Sequence, residues 1–266
     1  MKVLAAQAPL ALNRAECDLT SPHQVLKVMD RLRPRIFINT AAMTDVDGCE
    51  RSPDQAYRIN AVGPGHLAQA ARELDCLLVH LSTDFVFDGA LGRPYREDDP
   101  PAPLSVYGRS KWTGEEAVQE AGGDWLIVRT AWLYGSRRRG FVWRILDLAG
   151  EGRNLRVVDD QKGSPTYALD LARGLAALIQ ANARGLVHLV NSGEATWWEL
   201  AVQTLKTAGL NSIEIQKIAS RELDRPAARP AYSVLDTGRF HQLTGTVMRN
   251  WTEALTDALR DEDIGH

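Results

Sequence analysis

Four short aliphatic runs dominate the chain: residues 35–40 (RIFINT), 77–81 (LLVHL), 125–130 (WLIVRT) and 185–190 (GLVHLV). Stretches with helical periodicity separate them. Strands that are apolar at consecutive positions belong where both faces are buried, and their alternation with amphipathic helices specifies an α/β fold with a parallel sheet wrapped by helices. Local signals place several boundaries. Ser21 followed by Pro22 reads as an N-cap and first helical residue, and that helix ends near Leu32, ahead of Pro34. A helical stretch at 47–60 is interrupted at Pro53, and another follows at 64–74. A helix opens at Tyr107 and runs to about 120. Beyond Gly135 the organisation changes, with helices expected at 141–149, 168–182, from 194 onward and at 250–259, and a short strand at 155–158.

In an open α/β sheet, ligands bind outside the carboxyl ends of the strands. Asn39, Thr83 and Thr130 fall there, and Ala41-Ala42-Met43-Thr44 after the 35–40 strand is small enough to let a ligand approach the backbone. Within 77–111 the strand ends in Ser82-Thr83-Asp84, and the following helix opens with Tyr107-Gly108-Arg109-Ser110-Lys111. Tyr107 and Lys111, four apart, share a helix face. An ammonium beside a phenol favours the phenolate and tunes the tyrosine as a proton donor, while a strand-end hydroxyl from Thr83 or Ser82 is suited to holding a carbonyl oxygen. These groups suit reduction of a carbonyl or its reverse. Taken alone, Tyr-x-x-x-Lys is common on helix surfaces. His80, inside a strand, reads as a hydrogen-bonded core histidine.

The formal charge of −3 gives no reason to expect nucleic acid or an anionic membrane as partner. No apolar run approaches twenty residues, so no membrane span is expected, and residues 1–16 lack the pattern of a secretory signal. Cys17, Cys49 and Cys76 have no metal-ligand spacing and read as reduced thiols of a cytoplasmic protein.

The motifs resemble the extended short-chain dehydrogenase/reductase family, and within it the dTDP-4-dehydrorhamnose reductases. Ser82-Thr83-Asp84-Phe85-Val86-Phe87-Asp88-Gly89 is similar to S-T-D-Y-V-F-D-G, and 103–111 to P-x-x-x-Y-G-x-S-K. Arg129 to Gly135 matches R-T-x-W-x-Y-G. Asn39 to Glu50 is similar to N-A-A-A-x-T-x-V-D-x-x-E, Asp160 to Thr166 to D-Q-x-G-x-P-T, and 229–237 to R-P-x-x-S-x-L-D-T. The resemblance implies a Rossmann-like doubly wound domain over about 1–135. It also implies a smaller sugar-nucleotide domain over 136–266, partly interleaved with the first, and reduction of a dTDP-4-keto-6-deoxysugar with NADPH or NADH. Carried over by position, Tyr107 is the proton donor, Lys111 holds the nicotinamide ribose and lowers the tyrosine pKa, and Thr83 completes the catalytic set. Asp18 and Leu19 lie near the adenine; Ala42, Met43, Thr44 and Leu81 line the cofactor, which Tyr107 and Lys111 also contact; Thr83 and Asp84 contact the sugar and Trp132 packs on it. Some relatives bind Mg²⁺, whose ligands do not map onto this chain, and a homodimer is compatible with the resemblance. The Arg137-Arg138-Arg139 cluster is either a solvated loop or a site for a nucleotide diphosphate.

One departure is large. The first glycine is Gly48. A Rossmann domain opens with a strand and a Gly-rich turn whose N–H groups cradle the pyrophosphate. Met1–Leu4 resembles the start of that strand and 11–16 the end of the next, yet adjacent parallel strands need a crossover of about a dozen residues or more. Either a single strand forms before Asp18 or two short pieces pair abnormally, and cofactor binding is expected to be weak. Arg14, at the end of the candidate second strand, favours NADPH over NADH. Two functions remain: a sugar-nucleotide reductase, or an impaired homologue acting as a binding or regulatory subunit. An epimerase or dehydratase fits less well, because Thr83-Asp84 is followed by Phe85 and not by the Glu of T-D-E.

Overall fold

The computed structural model describes residues 9–135 and 140–263. In chain order the first elements are α1 (Pro22–Leu32), β1 (Ile36–Asn39), α2 (Val46–Arg51), α3 (Pro53–Tyr57), a π-helical turn at Arg58–Val62 and α4 (Gly63–Glu73). Then come β2 (Leu77–Thr83), α5 (Val106–Ala121), β3 (Trp125–Thr130), β4 (Leu133–Tyr134), α6 (Phe141–Gly150) and β5 (Leu155–Val158). The chain continues through β6 (Lys162–Gly163), β7 (Thr166–Tyr167), α7 (Ala168–Gln180), β8 (Gly185–His188) and β9 (Ala195–Thr196). It ends with α8 (Trp197–Thr207), β10 (Ile215–Ile218), α9 (Gly238–Thr244) and α10 (Trp251–Asp263).

Strands β1, β2, β3 and β8 form one sheet in that order, every pair parallel. The alternation of strand side chains assigns its two faces. Leu78 and Ile127 pack with Met29, Leu67 and Val118 beneath α1, α4 and α5. Leu77, Val79, Leu126 and Val128 pack with Leu171, Leu175 and Leu178 of α7 and with Phe240 of α9. Helices therefore cover both faces, as the apolar runs require. The cap signals at α1 are realised: Ser21 Oγ accepts from the Gln24 N–H, Pro22 is the first helical residue, and Arg33 ends the helix in the left-handed region.

The region before Asp18 departs from the sequence expectation. Residues 11–16 are not the end of a strand: the Asn13 carbonyl accepts from the N–H groups of Glu16 (3.1 Å) and Cys17 (3.0 Å), closing a turn. Met1–Leu4 lies outside the described residues, as does the Arg137–Arg139 cluster. Among the described residues β2 is the one strand that pairs with β1, and Ile36 at the start of β1 is 37% exposed. Among the described residues β1 is an edge strand of the sheet.

In the second half, β5 and β10 pair in parallel and share a core with α6 and α8 that includes Ile145, Val157, Ala201 and Leu205. Strand β8 returns from this half into the main sheet, so the two halves interleave.

Two glycines let α5 lie against backbone. A Cβ on Gly108 would come within 2.2 Å of the Phe85 carbonyl oxygen, and one on Gly114 within 2.1 Å of the Asn60 carbonyl oxygen. In a free helix Gly→Ala gains about 1 kcal/mol. Here the methyl forces α5 off the π-helical turn, and Gly114→Ala is expected to lose ~1–3 kcal/mol of stability as an overpacked site does. Urea unfolding checks this; unchanged or raised stability would contradict the close approach.

Candidate active site

The first turn of α5 is fixed from two directions. Ser105, the N-cap, accepts from the Gly108 N–H at 3.1 Å, and Glu50 Oε1 accepts from the Val106 N–H at 2.7 Å. This anchors Tyr107, which is half-buried beside Met43, Cys49, Ala56 and Tyr57 and meets the Phe85 ring edge-on at 5.6 Å. Thr83, at the carboxyl end of β2, carries the hydroxyl that opposes the rise of the Tyr107 phenol. The same hydroxyl donates to Asp84 Oδ1 at 3.1 Å and accepts from the Phe85 N–H at 3.2 Å. Burial pushes the Tyr107 phenol up to about 12, opposed by Thr83 and reinforced by Asp84 and Cys49.

Lys111 behaves differently from expectation. It shares α5 with Tyr107, one turn further along. Its side chain is buried against β2, where Nζ donates to the Leu81 carbonyl at 2.6 Å and lies 3.4 Å from His80 Nε2. Burial pushes Lys111 down to about 8, with Glu115 acting the other way. The phenol is therefore raised and not lowered in this state, because desolvation of the phenolate outweighs any cation nearby.

The other expected residues divide into two groups. Ala42 and Met43 are half-buried and Thr44 is exposed in the loop after β1. That loop is clamped by buried Asn60, whose Oδ1 accepts from the Met43 N–H (2.8 Å) and whose Nδ2 donates to the Met43 carbonyl (3.0 Å) and to Ser110 Oγ (3.0 Å). Asp18 accepts from the N–H and hydroxyl of Thr20, and Leu19 is buried with its carbonyl hydrogen-bonded to His66 Nδ1. Arg14 pairs with Asp18 at 3.6 Å, and a cavity of about 350 Å³ beside them is lined by Arg14, Thr20, Asp54, Gln55, Arg58 and Ile59. Leu81 contributes its carbonyl to Lys111, while its side chain packs in the core under α7.

Asp84 and Trp132, expected at the sugar, are engaged with protein. Asp84 is buried and its Oδ2 accepts from Ser233 Oγ at 2.5 Å. Trp132 sits in the left-handed region (φ 46°) and stacks on Trp197 with ring centroids 3.6 Å apart. Gln161 of the 160–166 loop bonds Ser220 and Trp197. Among the described residues there is no group of three or more His, Cys, Asp or Glu side chains able to hold a metal ion.

Sequence reasoning gave no role to Asn60, Glu50, Asp47, Glu115, Arg229 or Ser233. Asp47 takes both guanidinium nitrogens of Arg229 (2.8 and 3.2 Å), and the buried pair of Glu115 with Arg129 is bidentate at 2.7 and 2.9 Å. The V-D-x-x-E and R-P-x-x-S patterns were visible. That they clasp each other is a long-range fact which spacing does not carry.

A Rossmann-type sheet with a strand-end threonine facing the tyrosine of a Tyr-x-x-x-Lys helix defines a short-chain dehydrogenase/reductase site. Comparisons with known proteins narrow the class. Residues 3–264 match the family described as the RmlD substrate binding domain. A dTDP-4-dehydrorhamnose reductase from Streptomyces griseus is 42% identical over 94% of this chain and 84% of its own length. The dTDP-4-dehydrorhamnose reductase of Bacillus anthracis, solved in complex with NADP, superposes with a TM-score of 0.91 at 35% identity, covering 97% of this chain and 94% of its own. An orthologous structure from Clostridium acetobutylicum gives 0.93 at 35% identity, covering 98% and 95%. The chain belongs to the dTDP-4-dehydrorhamnose reductase family.

Burial raises the Asp84 carboxyl to about 6 from 3.8, against hydrogen bonds from Ser233 and Thr83. The folded state thus holds this proton more tightly than the unfolded state. Asp84 contributes most stability below about pH 4, and the contribution is lost as pH rises to about 6. Asp84→Asn is expected to gain on wild type by up to ~3 kcal/mol across that window, from ~1.4 kcal/mol per pH unit. Parallel stability–pH curves in denaturant titrations would contradict the assignment.

Proposed function

We propose that the protein reduces the 4-keto group of dTDP-4-dehydrorhamnose (dTDP-4-dehydro-6-deoxy-L-mannose) to give dTDP-L-rhamnose. The observation that carries this is Thr83 at the carboxyl end of β2 with Tyr107 in the first turn of α5, the helix packed on that strand. Family membership and the relatives' activity support the substrate. In this reading Thr83 and Tyr107 hold the ketone oxygen, and the phenol proton passes to that oxygen as the carbonyl carbon receives hydride. The product is the alcohol, with the tyrosine left as phenolate. A phenol that stays protonated over the whole physiological range suits the reductive direction, in which the proton is given and not taken.

NADPH supplies the hydride when bound. The residues present fit its nicotinamide–ribose half: the Ala42–Thr44 loop opens beside Tyr107 and is held from behind by Asn60, and Lys111 offers a donor. They fit the diphosphate half poorly, because no glycine precedes Gly48 and the described residues before α1 form a turn and not a Gly-rich loop. Arg14 beside the cavity near Asp18 supports NADPH over NADH, and NADP is the ligand in the Bacillus anthracis relative. Asp84 and Trp132 are proposed to border the sugar, with Trp132 leaving Trp197 to do so. The lack of a Gly-rich turn among the described residues before α1 favours one second reading, an impaired homologue that serves as a binding or regulatory subunit.

Tyr107→Phe is expected to lower kcat by ~10²–10⁴-fold, the range for a positioned proton donor. Turnover equal to wild type would overturn the role of Tyr107. Each charge-assisted hydrogen bond missing at the diphosphate costs ~1.5–3 kcal/mol, tenfold or more in Kd. NADPH fluorescence titration is therefore expected to give binding orders of magnitude weaker than micromolar, and a micromolar Kd would contradict the fit described above.

A further inference from the structure

Thr130 ends β3, and the proton-transfer reading gives it no part. It is the register partner of Thr83 across the parallel β2–β3 pair. Parallel neighbours lie about 4.8 Å apart and direct their side chains to the same face. On that face the next two rows down are Leu81 beside Val128 and Val79 beside Leu126, and all four pack in the apolar core under α7. The threonine pair is therefore the first polar row at the carboxyl end of these strands, the end at which open α/β sheets bind ligands.

The two hydroxyls differ in their partners. That of Thr83 donates to Asp84 Oδ1 at 3.1 Å and accepts from the Phe85 N–H at 3.2 Å. That of Thr130 is buried and has no hydrogen-bond partner among the described residues. The other buried threonines all use theirs: Thr166 donates to the Ser164 carbonyl, Thr196 to Asp159 and Thr204 to the Leu200 carbonyl. A buried hydroxyl without a partner is unfavourable. Packing at this position gives no reason for one, because valine has the same shape and would extend the apolar rows beneath. The Thr130 hydroxyl therefore fits a partner that is not part of the protein.

We propose that Thr130 is a substrate-binding residue whose hydroxyl bonds the 3-hydroxyl of the sugar, on the carbon next to the 4-keto group. This rests on the reductase reading, in which Thr83 holds the ketone oxygen. Of the two ring carbons flanking the ketone in a 4-keto-6-deoxy sugar, one carries a hydroxyl and the other a methyl. The hydroxyl-bearing neighbour is the one that a second threonine, one strand along the same row, can recognise. Thr83 is 5% exposed and Thr130 6%, so an opening that admits a sugar to the first reaches the second as well. The bond forms only with the sugar present, so it contributes to recognition and not to folding.

The test is calorimetric titration of the full-length protein with dTDP-L-rhamnose, which carries the same 3-hydroxyl, and with dTDP, which carries no sugar, alongside melting temperatures. Thr130→Val keeps the shape and removes the hydroxyl. It is expected to bind dTDP-L-rhamnose about tenfold or more weakly, to bind dTDP as wild type does, and to melt at the same temperature or higher. Thr130→Ser keeps the hydroxyl and is expected to hold dTDP-L-rhamnose as wild type does while melting lower, having lost a buried methyl. Equal dTDP-L-rhamnose affinity in wild type and Thr130→Val would overturn the proposal, as would a parallel loss of dTDP affinity. So would a Thr130→Val protein that melts lower or does not fold, because the hydroxyl would then serve the protein itself. Failure of the reductase reading shows differently: wild type itself then binds no dTDP-L-rhamnose, and the assignment of Thr130 falls with it.

Discussion

Helix α5 turns its ionisable groups inward, and the site depends on how β2 and β3 receive them. Lys111 and Glu115 both point at the sheet. Leu78, His80 and Ser82 alternate along one face of β2 to meet α5, and Arg129 comes up from β3. Glu115 is held by Arg129 and Ser82, and Lys111 by the Leu81 carbonyl and His80. Removing one member of a buried charge pair leaves its partner unpaired and costs about 3–5 kcal/mol, far more than a surface pair contributes. The polar interface therefore locks the rotation and height of α5 more tightly than apolar packing would. Tyr107, in the first turn of the same helix, inherits that placement.

The clasps around this helix explain why widely separated motifs occur together. Glu50 caps the N-terminus of α5, Asp47 three residues earlier holds Arg229, and Ser233 holds Asp84 next to Thr83. The C-terminal segment is thereby tied to α2 and to the mouth of β2. The tyrosine, the threonine and the cofactor-side loop are braced by one another and not by the sheet alone.

Much of this was legible from sequence, for identifiable reasons. The strands at 125–130 and 155–158 and the boundaries of α1 followed from aliphatic runs and from Ser21, Pro22 and Pro34, all local signals. Tyr107, Lys111 and Thr83 were found by spacing. What spacing lacked was direction. A helix face is about 100° wide, so sharing one did not reveal that Lys111 plunges to the Leu81 carbonyl while Tyr107 packs on Met43 and Phe85. Nor did a strand pattern show that His80 bridges Asn39 and Lys111. The segment at 11–16 was misread because its apolar residues suit a strand, whereas Asn13 closes a turn with its own carbonyl and side chain.

Among the described residues the β1 edge of the sheet is open, while Thr83 of β2 and Tyr107 and Lys111 of α5 are all held in place. The most direct measurement is transfer of label from NADPH deuterated at the hydride position into the sugar nucleotide, read by mass spectrometry at saturating cofactor. The account predicts dTDP-rhamnose one mass unit heavier than the product formed from unlabelled NADPH. No labelled product at any cofactor concentration, under conditions where the Streptomyces griseus relative forms it, would contradict the reductase assignment.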